Sequence, residues 1–207
     1  MGLLSLLLNN PFAFILIAIP LMYAIIFHEL AHGWVAYRMG DSTAKEMGRL
    51  SLNPLKHLDP VGTLMLFIFG FGWAKPVPVN FSRIHDFRKG MIMVSSAGII
   101  ANMILAFIAL FLYNLMSLQA SSITGTLLLT FARINIVLAA FNLIPLPPLD
   151  GSKILLGFAP KSVQTFLLSL ERFGFFIIIG LLYLGVLDPV IDFLQGMILA
   201  IISLLLS

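Results

Sequence analysis

From Pro11 to Tyr37 the chain is apolar except for one knot of ionisable residues, His28-Glu29-Leu30-Ala31-His32, if Tyr23 and Tyr37 are set aside. A run this long crosses a hydrocarbon core of about 30 Å as a helix. Within a membrane helix each such group costs about 2 to 3 kcal/mol or more to insert, so three together point to function. Two histidines at i and i+4 share one helical face, where their imidazoles can converge on a single ion. The glutamate beside the first histidine can then take a proton from a water on that ion. The bland alternative is three polar residues pairing with neighbouring helices.

The composition agrees with membrane insertion. Of 207 residues, 60% are hydrophobic and 10% charged, against about 25% charged in an average soluble domain. The net charge of +3 sits in loops between apolar runs, which favours lipid headgroups over nucleic acid. No cysteine is present, so disulfides, thiolate ligands and a cysteine nucleophile are excluded. Met1 to Asn10 has no basic region and no small-residue cleavage pattern, and reads as a lead-in to the first span.

Runs suited to spanning fall at about 11–37, 90–117, 124–144, 166–187 and 189–206. Val61 to Trp73 is shorter and broken by Gly70 and Gly72, which suits a re-entrant segment. The alternating prolines and valines of Ala74-Lys75-Pro76-Val77-Pro78-Val79-Asn80-Phe81 predict a short β-hairpin or edge strand. The expected fold is an all-α integral membrane protein of about five spans, with that re-entrant segment and strand. It forms one domain over 1–207, with a core at about 11–160 and further helices at 166–206. If Val61–Trp73 does not cross, all cations except Arg133 lie on one side of the membrane. The positive-inside rule makes that side cytoplasmic and the N-terminus extracytoplasmic.

Two histidines leave a zinc ion short of protein ligands. The remaining donors are His57, His85 and nine acidic residues. Asp150 stands out because it follows the proline-rich break Asn142-Leu143-Ile144-Pro145-Leu146-Pro147-Pro148-Leu149. Irregular backbone at membrane depth is tolerated only beside protein or a wet cavity. Gly151 lets the chain turn at once. His28 and His32 lie about 15 Å and 9 Å along the helix from Arg38, the same level at which Asp150 enters. The alternative role for Asp150 is an N-cap for the apolar run from Ser152 to Phe158.

These motifs, with Gly98-Ile99-Ile100-Ala101-Asn102, resemble those of the site-2 protease family of intramembrane zinc metalloproteases. The similarity covers about residues 20–160; Ile99 stands where the family has proline. Leu52–Thr63 and Gly72–Asn80 resemble its compact prokaryotic branch, without a PDZ insert or nucleotide-sensing tail. The resemblance implies one zinc ion per chain on His28, His32 and Asp150, with Glu29 as general base. It implies that Asn102 and Asn142 hold substrate backbone or the oxyanion, and that Ala74–Asn80 pairs with an unwound substrate. Implied partners are transmembrane-segment substrates and the bilayer of the plasma membrane, with the active site toward the cytoplasm. A regulatory membrane partner that supplies the missing module, and a homo-oligomer, both stand open.

His57 and Asp59 read as loop packing or capping, with a gating role as the alternative. His85 reads as interfacial. Arg133 and Asn135 are costly inside a span, and either bond across helices or line a water path. Two other functions compete. A metal-ion transporter would favour ligands relayed through several depths, whereas these cluster at one, and would not need Glu29 as a base; a catalytically silent binder would not need both histidines, Glu29 and Asp150 together.

Overall fold

The computed structural model describes residues 3–69 and 72–206. Helix α1 (Leu3–Asn9) leads into α2 (Pro11–Arg38), followed by short α3 (Thr43–Glu46) and α4 (Pro60–Phe69). Then come α5 (Phe87–Leu115), α6 (Ile123–Leu143), α7 (Asp150–Phe158), α8 (Lys161–Tyr183) and α9 (Asp188–Leu206). Five of these, α2, α5, α6, α8 and α9, are long and apolar enough to cross a membrane. They match the five runs expected, and the chain is a multi-pass membrane protein.

Local chemistry sets the helix starts. Asn10 accepts from the Ala13 N–H and Pro11 opens α2; a proline there loses no helical hydrogen bond. Asp86 accepts from the Lys89 N–H at the head of α5, and Ser122 from the Gly125 N–H at the head of α6. Helix α6 stops just before Pro145, whose ring is incompatible with continuing it.

The packed centre joins α5, α6 and α9 through Ile99, Ala106, Ile136, Ala139, Ala140, Ile198 and Ile202. Alanines at the α5–α6 seam let the two backbones approach closely, as small residues do between membrane helices. The outward faces of α8 and α9 carry exposed Phe166, Phe176, Phe193 and Leu204, suited to lipid.

Two expectations are revised, those of the β-hairpin and of Arg172. Ten residues of α4 cover about 15 Å, half a hydrocarbon core, and residues 70 and 71 of the supposed re-entrant segment lie outside those described. The expected β-hairpin does not form: no strand occurs among the described residues. Pro76 and Pro78 have no N–H to give a ladder. The Lys75, Val77 and Asn80 N–H groups bond instead to His57 O (2.8 Å), Glu29 Oε2 (2.7 Å) and Asp41 Oδ2 (2.6 Å). Finally, Arg172 falls in the middle of α8 beside Glu171, so it joins Arg133 as a cation in the interior of a helix long enough to span, away from its ends.

The 74–80 strap is secured from the loop before it. Buried Arg49 donates to the Lys75 and Pro76 carbonyls at 2.8 and 3.1 Å. His57, also buried, bonds Ser51 O through Nε2 at 2.7 Å. Asp59 accepts from the Gly62 N–H in the first turn of α4. His57 and Asp59 thus serve loop packing and capping.

Candidate metal centre

Helix periodicity places His28 and His32 on the face of α2 that meets α5, with the rings edge to face and their centroids 4.6 Å apart. Across from them, the break at Pro145–Pro148 brings Asp150 in as the first residue of α7. Leu149 occupies the N-cap position, and α7 has no side-chain cap. The Asp150 carboxylate faces the histidines instead. Gly151 is required for space rather than for its φ: a Cβ there would stand 2.3 Å from Leu143 O and 2.5 Å from Ile144 O.

Three donor atoms converge. His28 Nε2, His32 Nε2 and Asp150 Oδ2 are each 3.0 Å from the other two. All three residues are buried, at 7%, 9% and 6% exposure, and they form a group able to hold a metal ion. A tetrahedral zinc with bonds of about 2.0–2.1 Å needs donors about 3.3 Å apart, so the triangle fits within a few tenths of an ångström.

Proton placement strengthens the fit. His28 Nδ1 lies 2.6 Å from Asn102 Oδ1, and His32 Nδ1 lies 2.7 Å from Val94 O. Both partners are acceptors, so in each neutral ring Nδ1 carries the proton and Nε2 presents a lone pair. Two lone pairs and a carboxylate converging at 3.0 Å repel one another unless a proton or a metal cation lies between them. Lys153 Nζ, 3.6 Å from Asp150 Oδ1 and partly exposed, offsets only part of that charge.

Glu29 does not join the triangle. It sits half-buried at the edge of the site, its Oε2 accepting from the Val77 N–H at 2.7 Å. The strap therefore lies beside the metal helix, although the strand was not formed. Asn102 is fully buried on α5, bonded to His28. Asn142 is half-buried and its amide donates to Leu138 O, one turn back in α6 (3.0 Å); no hydrogen bond joins it to the three donors among the described residues. His85 does not enter the site, and Arg133 is exposed.

Sequence reasoning left Asn135 undecided, yet it is fully buried and bonds Asn102 across the α5–α6 seam at 2.8 Å. Its signal was present: an amide inside an apolar span, two turns ahead of Asn142. The contribution of Val94 O had no such signal, because every residue has a carbonyl.

Known proteins resemble this chain over most of its length. The sequence model described as Peptidase family M50 matches residues 115–184, which include Asn142 and Asp150. The chain is 44% identical over 172 residues to the Bacillus subtilis (strain 168) protein named "Putative zinc metalloprotease YwhC", covering 80% of this chain and 78% of that protein. It is 29% identical over 173 residues to "Putative zinc metalloprotease Rip2" of Mycolicibacterium smegmatis, covering 82% and 67%. "Zinc metalloprotease MJ0392" of Methanocaldococcus jannaschii is 25% identical over 72% of this chain and 35% of its own length. No solved structure matches. By the extent and identity of the first of these similarities, and by motifs that resemble the site-2 proteases, the chain belongs to Peptidase family M50.

Proposed function

We propose that the protein is an intramembrane zinc metalloprotease that hydrolyses peptide bonds in or near transmembrane segments. The observation that carries this reading is the buried triangle of His28 Nε2, His32 Nε2 and Asp150 Oδ2, with both histidines on a helix long enough to span and Asp150 at the start of α7. Those three residues would hold one zinc ion. Bound there, zinc supplies Lewis acidity, which makes water more acidic and polarises a carbonyl.

Glu29 is the general base. The Val77 N–H fixes one carboxylate oxygen, while the other makes no hydrogen bond among the described residues and keeps its lone pairs for a water proton. Its place next to His28 in sequence, outside the ligand triangle, suits proton transfer rather than ligation.

A helical substrate keeps its carbonyls hydrogen-bonded, so cleavage requires local unwinding. The strap offers compensation: the Val79 N–H and the Val77 and Pro78 carbonyls make no hydrogen bonds among the described residues. An unwound segment can pair with them by strand addition. Asn142, at the end of α6 beside the break, has an amide oxygen free to meet substrate backbone. Asn102 acts through His28, because it is fully buried.

The cations outside the spans favour an active site toward the cytoplasm of the plasma membrane, with an extracytoplasmic N-terminus. The whole chain acts as one domain. The deciding experiment incubates the zinc-loaded protein with transmembrane peptides, beside a Glu29→Gln variant. Zinc should remain bound in the variant while cleavage falls by about 10² to 10⁴. Zinc loss in the variant would make Glu29 a ligand, and no cleavage by the parent would favour transport or simple binding.

A further inference from the structure

Three polar groups of the α5–α6 seam, Phe131 O, Asn135 and Asn102, form a chain that ends on His28 of α2, a corner of the donor triangle. Asn135 Nδ2 donates to Phe131 O at 2.8 Å, one turn back in α6. Asn135 Oδ1 accepts from Asn102 Nδ2 at 2.8 Å, and Asn102 Oδ1 faces His28 Nδ1 at 2.6 Å. A weaker contact runs from Asn102 Nδ2 to Ala24 O at 3.4 Å. Both amides are fully buried, with 0% exposure.

An amide can present either end to a neighbour, and the two ends have opposite polarity. Were Asn102 reversed, its NH₂ would face His28 Nδ1 and its oxygen would face the oxygen of Asn135. Asn135 in turn cannot reverse without setting its oxygen against the Phe131 carbonyl. The fixed polarity of one backbone carbonyl is therefore passed through two side chains.

We infer that Asn135 is a positioning residue for the metal centre, forming with Asn102 a two-amide relay that decides which nitrogen of His28 carries the proton. The relay holds His28 as the Nδ1–H tautomer, leaving Nε2 with the lone pair that a metal requires. This rests on the proposed zinc site and extends it to a residue that touches neither metal nor substrate. It also explains why two amides are retained in an apolar seam, where each unpaired polar group is costly. His32 needs no such relay, because its Nδ1 meets the backbone carbonyl of Val94 directly.

The test compares parent, Asn135→Leu and Asn102→Asp/Asn135→Leu proteins in detergent. Zinc affinity is measured by chelator competition. The His28 tautomer is read from ¹⁵N-histidine spectra of metal-free protein, at a pH where the imidazoles are neutral. Asn135→Leu frees Asn102 to reverse, so zinc affinity should fall by about 10- to 100-fold and His28 should gain Nε2–H character. In the double variant the carboxylate offers an acceptor whichever way it turns, so the Nδ1–H tautomer and zinc affinity should return. Unchanged affinity and tautomer in Asn135→Leu, or no recovery in the double variant, would overturn the relay. Should Asn135→Leu fail to fold, the parent decides: Nε2–H on its His28 overturns the inference and Nδ1–H sustains it. A parent that binds no zinc defeats the functional reading instead, and the tautomer measurement still judges the relay.

Discussion

Gly98 on α5 faces the imidazole of His32 so closely that a Cβ would lie 2.5 Å from Nε2, and 2.6 Å from Cε1 of His28. The nearest groups are thus the proposed ligands themselves. Gly98→Ala should push the rings apart at an overpacking cost of about 1–3 kcal/mol. We expect zinc affinity at least about tenfold weaker, measured by chelator competition, with the helical content of the protein retained. Parent-like affinity would mean that the rings can yield without losing the triangle.

Asp150 should be indispensable to the metal. Removing the carboxylate leaves two neutral imidazoles as protein donors, and Asp150→Ala should lose most of the zinc that the parent carries through purification. Elemental analysis checks this. Zinc retained at the parent level would remove Asp150 from the ligand set.

The proposed ligands were legible because each carries a local signature: the histidines a helical spacing in an apolar run, Asp150 a proline-rich break at matching depth. Helix positions were legible for the same reason, since lipid demands long apolar runs. The strap was not. Its prolines and valines resemble a strand, but Arg49, His57, Asp41 and Glu29 reach it from distant parts of the sequence and take the bonds a partner strand would have made. Asn102 could be found by its motif but not its partner, because the pairing with His28 depends on how α2 and α5 are juxtaposed.

The absence of cysteine makes topology directly testable with single introduced thiols. A thiol within Gln119–Gly125 should react with an impermeant reagent from outside the cell, and thiols at Lys45 or Lys153 should not. Outside labelling at Lys45 would invert the orientation. Opposite labelling of positions 45 and 85 would show that the α4 region crosses.

Asp41 gives a pH-dependent contribution outside the spans. Burial opposes its charge, but the Thr43 hydroxyl, the Asn80 N–H and the Thr43 N–H together hold its carboxyl below the ordinary value. A depressed native value means that this stabilisation is full above the unfolded carboxyl's value, about 4, and is lost as pH falls through the native one. Asp41→Ala should cost about 1–3 kcal/mol by stranding its donors and should flatten the acid limb of the thermal stability profile. An acid limb identical to the parent's would assign that limb to other carboxyls.

The bond between the Val77 N–H and Glu29 makes the extramembrane connection a ruler for the proposed general base. The strap is held at Lys75, Pro76 and Asn80 by His57, Arg49 and Asp41, so the number of residues between those held positions and Val77 sets where the N–H arrives. One residue added between Pro76 and Val77 would shift that alignment by up to about 3.5 Å, more than the length of the hydrogen bond. The turn between α5 and α6 bears no such constraint, for its bonds, Ser117 N–H to Asn114 O and Ser122 N–H to Gln119 O, are local. Chain length is therefore free to vary there and is fixed beside Glu29.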